Sequence, residues 1–289
     1  MRSRRAQLSA VRLHYVEAGA PDAPVVFLMH GWPQTWREWR PIIPALAQHY
    51  RVIAPDLRGL GDSSRPATGY DVRSVASDIV ELADQLGIDR FKLVAHDLGA
   101  LAGYALAANW RARVEQLVIL DVVLPGYSLE SLVKLGPTGW GIWHFGFHAS
   151  PVAEFLIAGR EREYMSWFFR NMAYAPDAIS PEDVEAYIRA YREPGAMRAG
   201  LAYYSAFYES GLQNRATGAD KLTIPVLAIG GSASVGLMVA DEMRLVANDV
   251  TGDIAPDSGH WIPEEQPAWL VDRVLRFFKE RGEPPRCDS

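Results

Sequence analysis

Cysteine is almost missing from this 289-residue chain: there is one, Cys287, close to the C-terminal end. No internal disulfide can form, and sulfur-rich metal sites and thiol-nucleophile chemistry lose their main ligand. Lys/Arg-rich runs are also missing, and the formal net charge is −6, which argues against nucleic acid as a partner. No apolar run is long enough to span a membrane. The basic start, Met1-Arg2-Ser3-Arg4-Arg5, is not followed by the apolar stretch of a signal peptide, so the expected location is cytoplasmic. There are no repeats and no low-complexity linkers. What remains, with 49% hydrophobic and 22% charged residues, suits a globular protein with a full core. The length fits one large domain or a domain with an insertion.

The first part of the chain alternates strands and helices. Val11, Leu13 and Tyr15 alternate with polar residues up to Gly19, the pattern of an antiparallel strand. Val25-Val26-Phe27-Leu28-Met29 is continuously apolar, as in a parallel strand buried on both faces, and ends in His30-Gly31-Trp32-Pro33. Helical spacing in Trp36, Trp39, Ile43 and Leu46 precedes a short strand from Arg51 to Ala54. A Gly-punctuated loop follows from Asp56 to Ser63. Val75, Ile79, Leu82 and Leu86 give a clean helical stripe. A further strand runs from Val114 to Leu120 and ends in Asp121. This rhythm predicts a mostly parallel α/β sheet with right-handed crossovers.

After Asp121 the rhythm breaks. Helical segments dense in aromatics are predicted over Pro151 to Met172, from Ser180-Pro181-Glu182-Asp183 onward, and over Ala196 to Tyr208. Strand and helix then return: Ile224 to Ile229, a helix from Val235 to Val246, a strand from Val250 to Ile254, and a last helix containing Trp269, Leu270, Val274 and Phe277. The predicted architecture is one core domain, residues 1–122 plus 219–289, with an inserted helical cap, residues 123–218.

The stretch Phe91 to Ala108 organises the chain. An apolar strand with Leu93, Val94 and Ala95 turns directly into a helix of small residues, and Asp97 stands at the apex. Ala95, Gly99 and Ala100 flank it, because so tight a turn needs small neighbours. A helix N-terminus also favours the negative charge. On this window alone, Asp97 is either a helix-capping residue or a nucleophile. The stretch resembles the nucleophile elbow of the α/β-hydrolase superfamily, with aspartate in place of the more usual serine. The strand–helix order and the inserted cap extend that resemblance over nearly the whole chain.

The resemblance implies the remaining roles. The base of this superfamily is a histidine after the last strand, and Asp257-Ser258-Gly259-His260-Trp261 sits there, which points to His260. The loop Gly230 to Gly236, where many relatives carry the acid, has no carboxylate. Asp121, at the superfamily's other acid position, is therefore expected to orient His260. Backbone N–H groups of Trp32 and Leu98 are the expected oxyanion donors. His30-Gly31-Trp32-Pro33 matches the H-G-x-P pattern of epoxide hydrolases, with His30 shaping the loop. His96 is expected to pack beside the elbow, and His14 and His49 to be surface or packing residues.

An aspartate nucleophile makes an ester by displacement at an sp³ carbon, and activated water then cleaves that ester. An epoxide oxygen would leave as an alkoxide and needs a proton donor. Leu201-Ala202-Tyr203-Tyr204 resembles the cap segment carrying such a donor, Tyr204, in epoxide hydrolases. Trp143-His144-Phe145 resembles the Cif-like subgroup, where a histidine replaces a first tyrosine. Leu156 to Gly159 and the Tyr203-Tyr204 pair resemble that subgroup as well. That subgroup usually has Glu at the position of Asp121, so the reach to His260 is shorter here. His148 is a second candidate for the donor role. Trp32, Trp143, Phe145 and Trp261 are the expected substrate-binding residues.

Two competing chemistries use the same nucleophile. Haloalkane dehalogenases usually have Trp after the nucleophile, where this chain has Leu98, and often Asn after His-Gly, where it has Trp32. Fluoroacetate dehalogenases use arginines one and four residues after it, where this chain has Leu98 and Leu101. A haloacid carboxylate would stay unpaired there, at several kcal/mol. The expected function is hydrolysis of a neutral, largely apolar epoxide, with no cofactor, no metal, and no partner beyond substrate and water. The resemblance allows a homodimer. Haloalkane or haloacid dehalogenation, and a catalytically silent hydrolase-fold binding protein, are the alternatives.

Overall fold

The computed structural model describes residues 1–132 and 142–280. Cys287 lies outside the described residues. Eight strands form one sheet: β1 (Arg2–Gln7), β2 (Arg12–Ala18), β3 (Val25–Met29), β4 (Arg51–Pro55), β5 (Phe91–His96), β6 (Val114–Leu120), β7 (Leu222–Gly231) and β8 (Ala247–Ala255). Their order across the sheet is β1-β2-β4-β3-β5-β6-β7-β8. Only the β1–β2 and β2–β4 pairs are antiparallel. The pairs from β4 through β8 are parallel, with β5 at the centre between β3 and β6.

The apolar runs without polar alternation are explained by burial on both faces. Along β3, Val26 and Leu28 pack on one side with Val94, Val118 and Phe277. Phe27 and Met29 pack on the other side with Leu93, Ala95 and the helix from Asp97 to Asn109. The helix Val72–Gln85 lies on that second side, capped by Asp71, whose carboxylate accepts the Ser74 N–H at 3.0 Å. Its stripe of Val75, Ile79 and Leu82 is fully buried, as its spacing predicts.

All the described helices between β6 and β7 belong to the insertion, and among the described residues it holds no strand. Ser180 caps the helix Pro181–Arg192 as predicted, accepting the Asp183 N–H at 3.1 Å. The insertion is tied to the sheet-bearing part by directed polar contacts. Arg37 Nε donates to Asp183 at 2.6 Å, the Tyr203 hydroxyl donates to Arg58 O at 2.8 Å, and His260 N donates to Met172 O at 2.7 Å. No described helix is long and apolar enough to cross a membrane.

Several local expectations change. β1 carries Arg2, Arg4 and Arg5 and shows no apolar pattern, yet it pairs with β2 along its whole length. As an edge strand it has one neighbour and tolerates charge on its exposed side. The helical spacing from Trp36 to Leu46 resolves into a 3-10 turn at Trp36–Trp39 and a short helix at Ile43–Leu46. Pro41 and Pro44 account for the interruption, because each removes an N–H. The segment Pro151 to Met172 is two helices, Val152–Ile157 and Glu161–Asn171. The helix from Ala196 ends at Ser205, and another, Phe207–Gly218, follows it. Of the two histidines expected to be surface or packing residues, His14 is the packing one: it is buried and its Nδ1 lies 2.8 Å from Asp56 Oδ2. Asp56 in turn accepts the Trp36 and Asp62 N–H groups, which holds the Gly-punctuated loop in shape. His49 is exposed.

The helix from Asp97 to Asn109 is buried on nearly every side and lies unusually close to β3. A Cβ added at Gly99 would stand 2.3 Å from Met29 O, a backbone atom that cannot step aside. Gly99→Ala is therefore expected to lower stability by about 2 kcal/mol or more, as over-packing against a rigid neighbour does. Urea unfolding checks this. A loss below about 0.5 kcal/mol would mean that helix and strand separate freely.

Candidate active site

Strand β5 ends at His96 and the helix begins at the next residue, so Asp97 has to make the whole turn. Its φ is +46°, the left-handed region that costs a side chain other than glycine about 1–3 kcal/mol. The turn is held by contacts on both sides, Gly99 against β3 and Gly31 against Asp97 itself. A Cβ at Gly31 would come within 2.4 Å of Asp97 Cβ. That closeness lets the Trp32 N–H donate to Asp97 Oδ2 at 2.8 Å. Leu98 N belongs to the first helical turn, whose N–H groups have no partner within the helix. The Leu98 side chain turns away, into a separate apolar cavity of about 200 Å³ that Leu101 also lines.

The other two expected triad members converge on the same point. His260 Nδ1 lies 2.6 Å from Asp121 Oδ2, and His260 Nε2 lies 3.9 Å from Asp97 Oδ1. A carboxylate can only accept, so Nδ1 carries the proton and Nε2 presents its lone pair toward Asp97. Burial alone would hold the imidazole below its ordinary value. The hydrogen bond and charge of Asp121, followed by the charge of Asp97, outweigh burial and raise it. Asp121 also has a left-handed backbone, φ +47°. It accepts Gly231 N–H on Oδ1 at 2.8 Å and the Ser234 hydroxyl on Oδ2 at 2.7 Å. The loop that lacks a carboxylate thus supplies donors to one.

Behind the triad lies a layer that sequence reasoning missed or saw only as packing. His96 Nε2 donates to the His260 carbonyl at 2.8 Å, and its Nδ1 faces Glu38 Oε2 at 3.3 Å. Burial, with the charge of His260 next, lowers His96 to about 4, so the ring is neutral. Burial pushes the Glu38 carboxyl well above its ordinary value, and Glu38 is read as a neutral acid whose proton points to His96. Glu264, held up by burial too, accepts from the Tyr187 hydroxyl at 2.8 Å and from the Gln34 amide. His30 shapes its loop as expected: Nε2 accepts the Leu57 N–H at 3.0 Å and Nδ1 donates to Gly31 O at 2.9 Å.

Above the triad is a cavity of about 590 Å³. Asp97, Asp121, His260, Trp32 and Trp261 line its floor, and His144, Phe145 and Tyr204 line its roof. The rest is largely apolar: Val122, Val123, Leu129, Leu132, Ile142, Met172 and Val235, with Ser234 as the added hydroxyl. Among the described residues, neither the His144 ring nor the Tyr204 hydroxyl has a hydrogen-bond partner. Burial lowers His144 to about 3 and raises Tyr204, so both are neutral groups across the physiological range. Trp143 does not line this cavity. It is 41% exposed and faces a neighbouring groove with Leu156 and Trp167. In the Trp143–His148 helix, His144 and Phe145 are placed toward the cavity, and the neighbouring Trp143 is carried outward. His148 is not among the residues that line this cavity, and its Nε2 is engaged with the Tyr164 hydroxyl at 2.6 Å.

Known proteins resemble the chain over most of its length. The model of the alpha/beta hydrolase fold family matches residues 24–267. The chain is 40% identical over 283 residues to the soluble epoxide hydrolase of Corynebacterium sp. (strain C12), covering 95% of this chain and 96% of that protein. Cfl2 wild-type from Burkholderia cenocepacia superimposes with a TM-score of 0.92 at 42% identity, over 96% of this chain and 95% of that one. The Cif epoxide hydrolase from Acinetobacter nosocomialis superimposes with a TM-score of 0.90 at 31% identity, over 96% and 88% of the two chains.

The neutral Glu38 has a measurable signature. A carboxyl kept protonated in the fold, and free to ionise once unfolded, loses stabilising effect as pH rises past its ordinary value of 4.5. Glu38→Gln keeps the shape and removes the titration. The urea midpoint of the variant relative to the parent is expected to climb from about pH 5 to about pH 8. An offset that stays constant with pH would mean that Glu38 is ionised in the fold.

Proposed function

The chain belongs to the alpha/beta hydrolase fold family, and from that premise we propose that it is an epoxide hydrolase that opens a neutral, largely apolar epoxide to a vicinal diol through a covalent ester on Asp97. The observation that carries this reading is the pair of neutral donors, His144 and Tyr204, without a hydrogen-bond partner among the described residues, in the roof of the cavity whose floor holds Asp97. A ring-opening oxygen needs hydrogen-bond donors at the moment it gains charge, and it needs them opposite the attacking carboxylate.

In this reading Asp97 Oδ1 attacks an epoxide carbon and the carbon–oxygen bond breaks. Tyr204, assisted by His144, gives the departing oxygen its proton. Asp97 Oδ2, already on the Trp32 N–H, becomes the ester carbonyl oxygen. His260 Nε2 then takes a proton from water, which adds to the Asp97 carbonyl carbon. The oxyanion rests on the N–H groups of Trp32 and Leu98. Collapse breaks the ester bond and restores the carboxylate. His260 returns its proton to the diol oxygen, the second proton of the water passes from the Asp97 carboxyl to the Tyr204 phenolate, and Asp121 steadies the imidazolium in between. Residues 1–122 and 219–289 thus supply nucleophile, base, acid and oxyanion donors, while residues 123–218 supply the roof.

The separation of 3.9 Å between His260 Nε2 and Asp97 Oδ1 supports a base acting on water beside an ester rather than on the nucleophile itself. A haloacid is disfavoured because Leu98 and Leu101 place no cation near Asp97.

The test is intact-protein mass spectrometry on His260→Gln incubated with aryl and alkyl epoxides, haloalkanes and haloacids. The expected gain equals one whole epoxide and is absent when Asp97→Asn is added. A gain equal to a halide substrate minus hydrogen halide would make the protein a dehalogenase, and no adduct from any compound would favour a silent binding protein. Tyr204→Phe is expected to lower kcat/KM for an epoxide about 100-fold by steady-state assay, the scale of a lost general acid.

A further inference from the structure

Asp121 accepts three hydrogen bonds, and two of them converge on one oxygen. Oδ1 takes the Gly231 N–H, while Oδ2 takes both His260 Nδ1–H at 2.6 Å and the Ser234 hydroxyl at 2.7 Å. Ser234 belongs to the loop after β7 and also lines the catalytic cavity. The same loop grips the segment that carries the base. Ala233 N–H donates to Ser258 O at 2.9 Å, and the Ser232 hydroxyl accepts the Ser258 N–H at 3.3 Å. One short loop therefore contacts the acid on one side and the base-bearing segment on the other. None of its residues carries a charge.

We propose that Ser234 is a positioning residue of the catalytic cycle: its hydroxyl shares Asp121 Oδ2 with His260, limits how strongly Asp121 holds the imidazolium, and so keeps His260 available as a base for ester hydrolysis. The physical reason is competition for one acceptor. Donation from Ser234 spreads the negative charge of Oδ2 over a second partner, and the attraction it exerts on protonated His260 falls accordingly. An aspartate that meets His260 at 2.6 Å, with no such competitor, would favour the protonated ring, which cannot accept a proton from water. The acid is set directly against the base here, and the neutral loop moderates it.

Other groups facing His260 keep their places when Ser234 is altered. Asp97 stands at the start of its helix, Glu38 in the 36–39 turn, His96 on β5 with its ring centroid 4.7 Å from that of His260, and His144 in the roof. Glu265 accepts the N–H groups of Gly259 and Trp261 on either side of His260. None of them touches the Ser234 hydroxyl, so its removal isolates the effect on Asp121.

The inference rests on the ester mechanism above for its purpose, but not for its test. The His260 ring is titrated by NMR in the free full-length protein, its signals assigned by their loss in His260→Gln. In Ser234→Ala the midpoint is expected to rise by about half a unit or more, the scale of one lost charge-assisted hydrogen bond to an acceptor shared by two donors. Ser234→Thr, which keeps the hydroxyl, should restore the parental midpoint. The rising limb of ester hydrolysis in single turnovers with an epoxide should move to higher pH by the same amount, because hydrolysis needs neutral His260. An unshifted His260 midpoint in Ser234→Ala, or an equal rise in Ser234→Thr, overturns the proposal. A shift of the midpoint without turnover of any epoxide would uphold the role of Ser234 and remove the epoxide reading instead.

Discussion

The close approach of one helix to the middle of the sheet is the constraint on which this molecule depends. Gly99 lets the helix that begins at Asp97 press against the Met29 carbonyl, and Gly31 lets the following loop press against Asp97. Between them the aspartate has no room for an ordinary turn and takes a left-handed one. Strain of that kind persists only where the surroundings over-determine the backbone. Here the surroundings are β3, β5 and β6, buried on both faces. The Asp97 carboxylate is thus held by packing, and the Trp32 N–H fixes one of its oxygens.

Given that fixed point, the electrostatics of the site follow from burial. Three chargeable groups, Asp97, His260 and Asp121, share a buried pocket. Around them nearly every other titratable side chain is kept neutral: His96 and His144 by desolvation of the cation, Glu38 and Glu264 by desolvation of the anion. Low local polarity magnifies each remaining charge. A base close to a strong acid partner in such a setting tends to stay protonated, so a moderating donor on Asp121 has a defined task. Under the proposed reaction the neutral roof suits a substrate without charge of its own, whose developing oxygen needs hydrogen bonds rather than a cation.

The helical insertion contributes in a different currency. It adds few groups to the chemistry but encloses the cavity, and its attachment through Arg37, Tyr203 and the His260 N–H ties roof to floor. The last of these contacts places a backbone link at His260 itself. Position in the roof is decided residue by residue: His144 lines the cavity, Trp143 next to it does not, and His148 one turn later is occupied by Tyr164.

The sequence by itself determined the alternation of strands and helices, the interruption after Asp121 and the tight turn at Asp97. These are local matters, written in apolar periodicity and small residues over a few adjacent positions. It also pointed to His260 and Asp121 through their places after strands. Only the tertiary structure decided what stands beside those residues. Ser234 and Asp121 are far apart in the chain, as are Glu38 and His96, and no spacing along the sequence relates them. β1 was hidden because an edge strand needs one partner and little apolar surface, and Trp143 was misplaced because a six-residue helix turns neighbouring side chains in different directions. Local periodicity settles which way the backbone goes, but long-range packing settles which side chains meet, and the chemistry depends on the meeting.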